Sequence, residues 1–117
     1  MWKIYKSMKF DAAHKLENYD GACANIHGHT FKVDIECKHD TVDKIGLIID
    51  FKILKLHMKE IIDELDHSYL NDIVTFNPTA ENLAKYIYEE LKKKIEILVK
   101  VRVWESETAY AEYYENE

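Results

Sequence analysis

Glycine and proline are scarce in this chain, with three and one respectively in 117 residues. That excludes collagen-like and low-complexity architectures, and no Gly/Pro-rich tract offers a linker between domains. Only two cysteines occur, Cys23 and Cys37, so a disulfide scaffold is excluded. One bridge between them is conceivable, but a reducing compartment argues against it. Positive charge is also in deficit: 16 basic against 22 acidic residues give −6. Nucleic acid and anionic membrane surfaces are therefore not expected partners, because both need a broad basic face. A phosphorylated substrate would need its cations gathered locally. No apolar run approaches the ~20 residues of a membrane span. The start, Met1-Trp2-Lys3-Ile4-Tyr5-Lys6, lacks the apolar core of a signal peptide. The expected location is cytoplasmic.

What is present suits a folded globular unit. Hydrophobic residues make up 47% of the chain, enough for one core, so residues 1–117 are expected to form a single domain. From His27 the odd positions read His27, His29, Phe31, Val33, Ile35, Cys37, against Gly28, Thr30, Lys32, Asp34, Glu36, Lys38. Such alternation predicts a strand with one buried face. Both histidines then point inward from its N-terminal end, about 7 Å apart along the backbone (two residues at ~3.4 Å each). Residues 2–14 alternate as well, placing His14 on the apolar face at the C-terminal end of a first strand. If the two strands pair antiparallel, those ends meet and three imidazoles converge.

The remaining elements follow in order. Residues 15–26 connect the two strands, with Asn18, Asp20 and Gly21 as turn formers. A loop at 39–44 and a short extended run, Gly46-Leu47-Ile48-Ile49, lead to Asp50, a candidate N-cap. Phe51, Leu54, Met58, Ile61, Ile62 and Leu65 recur at helical spacing, predicting a helix over 51–65. Thr79 and Glu81 suit the cap and first turn of a second helix over 80–94, with Leu83, Ala84, Ile87 and Leu91 as its stripe. Ile97, Val99, Val101, Val103 and Glu105 share a parity on a third strand, and a tyrosine-rich strand follows over 108–114. The order ββααββ predicts an α+β fold: a four-stranded antiparallel sheet with two helices on one face. Its open edges favour oligomerisation.

Three histidines on one apolar face would be costly without a common partner. Imidazole ligands with no carboxylate in the motif point to Zn²⁺, and three protein ligands with an open fourth position are the catalytic form of such a site. Cys23 has three readings: a fourth ligand closing a structural site, a base or nucleophile beside the metal, or a small loop residue. Asp66-His67 is either a polar helix end or a carboxylate-assisted imidazole that relays protons. Glu105 ends a buried apolar row. There a carboxylate could accept two parallel N–H bonds from a guanidine-like edge, pair with a cation, or emerge into solvent.

Six stretches together resemble the 6-pyruvoyltetrahydropterin synthase family, most closely its 6-carboxytetrahydropterin synthase branch in 7-deazaguanine (queuosine and archaeosine) biosynthesis. They are Phe10-Asp11-Ala12-Ala13-His14, Cys23-x-x-x-His27-Gly28-His29, Ile49-Asp50-Phe51-x-x-Leu54-Lys55, Leu65-Asp66-His67-x-x-Leu70-Asn71, Asn77-Pro78-Thr79-x-Glu81 and Val103-Trp104-Glu105-x-x-Thr108. The resemblance implies a tunnelling fold that assembles through trimeric barrels into a homohexamer, with active sites at subunit interfaces. It implies a pterin triphosphate substrate, 7,8-dihydroneopterin triphosphate, and carries roles to matching positions. His14, His27 and His29 would hold zinc. Cys23 would be the general base, with Asp66 and His67 as a relay reached across an interface. Glu105 would anchor the pterin, assisted by Thr79 and Glu81, and Lys15 is a candidate for the triphosphate. One departure is Glu105-Ser106-Glu107-Thr108, where the family more often has Glu-Thr-x-Thr.

The expected activity is a zinc-dependent lyase forming 6-carboxytetrahydropterin, acetaldehyde and triphosphate. Two alternatives stand beside it: a 6-pyruvoyl-forming or aldolase-type relative of the same fold, and a non-catalytic zinc-stabilised oligomer that binds purine-like ligands.

Overall fold

The computed structural model describes residues 1–116. Two 13-residue strands, β1 (Trp2–His14) and β2 (His27–His39), pair antiparallel along their whole length, from Trp2 opposite His39 to His14 opposite His27. The alternation dictates this register: it places Met8, Phe10 and Ala12 against Val33, Phe31 and His29 on one face. Phe10 and Phe31 stack there with ring centroids 5.0 Å apart. Between the strands lies one 3₁₀ turn, Ala22–Ala24.

Helix α1 (Phe51–Leu65) begins where Asp50 accepts the Lys52 N–H at 2.8 Å, the cap expected of it. Leu54, Met58, Ile62 and Leu65 are its buried stripe; Phe51, at the first helical position, remains half-exposed. The run 46–49 is not extended. Asp43 gathers the N–H groups of Ile45 and Leu47, and Gly46 takes φ +90°, so the chain turns instead. Helix α3 (Ala80–Lys92) is capped by Thr79, whose hydroxyl accepts the Asn82 N–H, and buries Leu83, Ala84, Ile87 and Leu91 as its spacing predicts.

The sheet departs from the expected four antiparallel strands. Residues after α1 form a two-residue strand, β3 (Ser68–Tyr69), parallel to β1 at Ala12 and Ala13, and a short helix, α2 (Leu70–Ile73). With β4 (Leu98–Ser106) and β5 (Ala109–Tyr114) the result is a mixed five-stranded sheet ordered β3-β1-β2-β4-β5, with three α-helices. Periodicity could not reveal β3, because a two-residue strand has no period to read. A bulge between Glu36 and Cys37 places Leu98 opposite Cys37 and Lys100 opposite Glu36. Leu98 is therefore buried where alternation had favoured Ile97 and Val99, while Val101, Val103 and Glu105 keep the expected parity.

Both long helices cover one face, and the fold is α+β. The opposite face carries polar ladders. Asp34 accepts from Ser7 Oγ at 2.5 Å and from Trp104 Nε1 at 2.7 Å, and Arg102 pairs with Glu112 at 3.0 Å. Among the described residues, the outer edge of β5 and that of β1 over residues 2–11 have no strand partner. Among the described residues, no helix is long and apolar enough to cross a membrane.

Candidate metal and catalytic site

The β1–β2 register sets His14 directly opposite His27 and sets His29 opposite Ala12. All three imidazoles lie on the helix-covered face, with ring centroids 4.5, 4.8 and 5.1 Å apart. Two are oriented by backbone carbonyls: His14 Nδ1 donates to Pro78 O at 2.8 Å, and His27 Nδ1 to Asn25 O at 2.7 Å. A carbonyl can only accept, so a proton sits on Nδ1, and this leaves Nε2 as the nitrogen whose lone pair a metal would use. The Nε2 atoms of His14, His27 and His29 are buried and have no hydrogen-bond partner. Together with a Glu105 carboxylate oxygen they lie within 4.8 Å of one another.

This donor set fits zinc. Three neutral imidazole nitrogens converge, and leaving such atoms unpaired in a core costs about 1–3 kcal/mol each. Burial holds the His29 pKa below its ordinary value, outweighing the upward pull of Glu105, and this favours the neutral, ligating form. Glu105 Oε1 comes within 3.2 Å of His29 Nε2, without the alignment of a hydrogen bond. The carboxylate at the end of the apolar row thus borders the three-histidine cluster.

Cys23 is a half-buried free thiol on the 3₁₀ turn, and its sulfur is not a member of the converging ligand set. Cys37 is also free. It lies fully inside the core, where burial pushes its pKa up to about 12.

Asp66 and His67 form a second cluster, together with Asp11. His67 Nδ1 is 2.9 Å from Asp66 Oδ2, and Asp66 Oδ1 accepts the Asp11 N–H at 2.9 Å. His67 N–H in turn donates to Asp11 O at 2.6 Å, while Asp11 Oδ1 accepts the Thr30 hydroxyl at 2.5 Å. His67 has φ +54°, left-handed backbone that a histidine rarely adopts at the end of a helix. That geometry keeps its imidazole 79% exposed. The bond from Asp11 holds the Asp66 pKa below the ordinary carboxylate range, helped by His67, and the Asp66 carboxylate raises that of His67. This group and the three-histidine cluster share no residue. A shallow depression lined by Asp11, Gly28, His29, Thr30, His67 and Ser68 borders both.

The other predicted residues are placed less tellingly. The Thr79 hydroxyl is taken by its capping bond, and Glu81 is exposed on the first turn of α3. Lys15 Nζ comes within 4.0 Å of Glu17 Oε1. A Cβ on Gly28 would meet Ala12 O at an ordinary 3.6 Å, so this glycine leaves the depression bare without being demanded by crowding. Sequence reasoning missed the orienting carbonyls of Asn25 and Pro78, and it missed Asp11. Backbone acceptors leave no side-chain signature, although Pro78 stood inside a quoted motif.

Residues 3–116 match the family described as 6-pyruvoyl tetrahydropterin synthase. A 6-carboxy-5,6,7,8-tetrahydropterin synthase of Haemophilus influenzae is 34% identical over 98% of this chain and 100% of its own. A dihydroneopterin monophosphate aldolase of Pyrococcus furiosus is 37% identical over 87% of each chain. The structure of Caenorhabditis elegans 6-pyruvoyl tetrahydropterin synthase superposes with TM-score 0.88 at 28% identity, covering 98% of this chain and 96% of that one. The architecture is therefore the tunnelling fold that the resemblance implied.

Proposed function

The chain belongs to the 6-pyruvoyl tetrahydropterin synthase family, and from that premise we propose that it is a zinc-dependent 6-carboxy-5,6,7,8-tetrahydropterin synthase. In this reading it converts 7,8-dihydroneopterin triphosphate and one water to 6-carboxytetrahydropterin, acetaldehyde and triphosphate. The observation that carries the reading is the convergence of three buried, unpartnered Nε2 atoms, from His14, His27 and His29, beside the Glu105 carboxylate. Full-length similarity to the Haemophilus influenzae enzyme supports the choice of product.

His14, His27 and His29 would hold the zinc. When bound, zinc supplies Lewis acidity toward the oxygens of the substrate side chain, making the adjacent C–H and O–H bonds easier to deprotonate. Glu105 accepts two parallel N–H bonds from the pterin edge and so fixes the side chain against the histidine cluster. The Cys23 thiolate removes a proton, and the Asp66–His67 pair returns one. Thr79 and Glu81 flank the ring, and Lys15, next in sequence to His14, is a candidate cation for the triphosphate.

The Asp66–His67 pair belongs to a cluster distinct from the three histidines, and in this reading the relay reaches the reacting atoms from a neighbouring protomer in a homo-oligomer, trimer or hexamer. The unpaired outer edges of β1 and β5 supply complementary surfaces for such an assembly.

Incubation with dihydroneopterin triphosphate, with mass spectrometry of the pterin and an acetaldehyde assay, tests the reaction. A 6-pyruvoyl product without acetaldehyde would move the chain to the synthase reading. Turnover of the monophosphate to a hydroxymethyl pterin would favour the aldolase reading, which the Pyrococcus furiosus relative supports. Cys23→Ala separates catalysis from a non-catalytic zinc-stabilised binder. The catalytic reading expects retained zinc and assembly with lost turnover; the binder reading expects lost zinc and unfolding.

A further inference from the structure

The loop from His14 to His27 carries Cys23 between two of the proposed zinc ligands, and its entry is held by two side-chain amides. Lys15 N–H donates to Asn71 Oδ1 at 2.9 Å, and Asn71 Nδ2 returns a bond to Lys15 O at 2.9 Å. Glu17 N–H donates to Asn77 Oδ1 at 2.9 Å, and Asn77 Nδ2 donates to Glu17 O at 3.2 Å. Lys15 and Glu17 are two apart, so their backbone groups face the same side of an extended chain. The intervening residue faces the other side, and there Leu16 N–H donates to Cys23 O at 2.8 Å. Residues 15–17 thus continue β1 as a strand-like rung, with two asparagine carboxamides on one edge and the Cys23 carbonyl on the other.

Neither asparagine has an evident alternative task. Asn77 begins a run in which each residue serves the site. Its side chain holds Glu17, the Pro78 carbonyl orients His14, and Thr79 caps α3. The Asn77 carbonyl is itself fixed by Thr79 N–H at 2.8 Å and Asn82 Nδ2 at 2.9 Å, so the clamp is anchored to a helix terminus. Asn71 stands on α2, one residue after the fully buried Leu70. A loop of a dozen residues would otherwise sample many conformations, and a displacement near 1 Å at a reacting group can cost about a hundredfold in rate.

We propose that Asn71 and Asn77 are positioning residues for the Cys23 thiol, acting through the Leu16–Cys23 backbone bond. The proposal rests on the reading of Cys23 as the general base. It extends to the Asn71 and Asn77 carboxamides a role separate from folding: they set where the thiol stands relative to the three histidines.

The test uses the zinc-loaded full chain with Asn71→Asp and Asn77→Asp. These near-isosteric changes keep the acceptor and replace the donor by an oxygen facing a carbonyl. Zinc content should stay at the wild-type value. Leu16 amide exchange should accelerate, and alkylation of Cys23 by iodoacetamide should rise by about tenfold as the segment opens locally. Cys37, fully buried, is the internal reference. The kcat should fall by roughly tenfold to a hundredfold with KM little changed.

Wild-type exchange and alkylation rates in the variants would overturn the proposal. So would an unchanged kcat alongside an inactive Cys23→Ala. Altered Cys23 reactivity with unchanged kcat, alongside a fully active Cys23→Ala, overturns the base role of the thiol and leaves the clamp standing. Should the variants fail to fold, wild-type exchange decides: Lys15, Leu16 and Glu17 amides no slower than those of Tyr19 and Asp20 would end it.

Discussion

Glu105 Oε1 and His29 Nε2 lie 3.2 Å apart, so the carboxylate that closes the apolar row of β4 borders the same space as the converging imidazoles of His14, His27 and His29. Two tasks compete for it: a fourth ligand to zinc, or an acceptor for the pterin edge. Glu105→Gln separates them. With the pterin role, zinc stoichiometry should match wild type while kcat/KM drops by about 2–4 kcal/mol of lost charge-assisted hydrogen bonding. Zinc analysis by atomic absorption beside steady-state kinetics decides; zinc loss in this variant assigns the carboxylate to the metal instead.

Removing the metal should destabilise the protein as well as silence it. The three Nε2 atoms are buried without partners, so the metal-free core keeps orphaned acceptors. Ligand binding to the native state adds stability by mass action, about 4 kcal/mol at a thousandfold excess over Kd. Exhaustive chelation should therefore lower Tm by several degrees, and added Zn²⁺ should restore it. His14→Ala, His27→Ala and His29→Ala should each show less bound zinc and respond weakly to added Zn²⁺. A Tm unmoved by chelation would count against a zinc site here.

The Asp66–His67 pair sets a pH dependence of definite sign. The Asp66 carboxylate raises the His67 pKa above 6.5, so that contribution is complete below pH 6.5 and is lost as pH rises through the folded value. Asp66 lies below its ordinary 3.8, mainly through the Asp11 N–H, so its contribution is complete above that pH and fades as pH falls through the folded value. Between these limits both halves are charged. Both groups are exposed, so the consequence is read in titration rather than in global stability. The NMR titration midpoint of His67 should lie above 6.5 and should fall toward it in Asp66→Asn. The alkaline limb of the kcat profile should move in the same direction.

Much of this site was legible because strand periodicity carries position as well as structure. Once β1 and β2 are read as alternating strands, the parity of His14, His27 and His29 allows only one face, and antiparallel pairing brings their ends together. The caps at Asp50 and Thr79 were equally readable, since their side-chain acceptors are local. What escaped was non-local or non-periodic. The two residues of β3 owe their conformation to Ala12 and Ala13, more than fifty residues earlier in the chain. The β4 bulge reverses parity at Leu98, and the carbonyls of Asn25 and Pro78 that orient two histidines belong to backbone, which no residue type announces. Asp66 and His67 were named from sequence, and the resemblance had them reached across an interface; what no residue type announced was the Asp11 backbone that holds both.

Phe31 links core and site most directly. Fully buried, it stacks on Phe10 at 5.0 Å and presents its ring in edge contact with His14 at 5.4 Å and His29 at 5.5 Å. Removing the ring leaves a cavity beneath two of the proposed zinc ligands, and such truncations cost about 3–5 kcal/mol. Phe31→Leu conserves much of the volume and should cost about 1.5 kcal/mol or less, while loosening the imidazoles it supports. Zinc affinity in Phe31→Leu should therefore fall by about tenfold, the scale seen when groups that orient metal ligands are lost. Competition against a chromogenic chelator measures this directly, and denaturant unfolding of the metal-free protein supplies the stability change. Wild-type affinity in a destabilised Phe31→Leu would mean that the ring supports the core alone, with the carbonyls of Pro78 and Asn25 sufficient to hold the imidazoles.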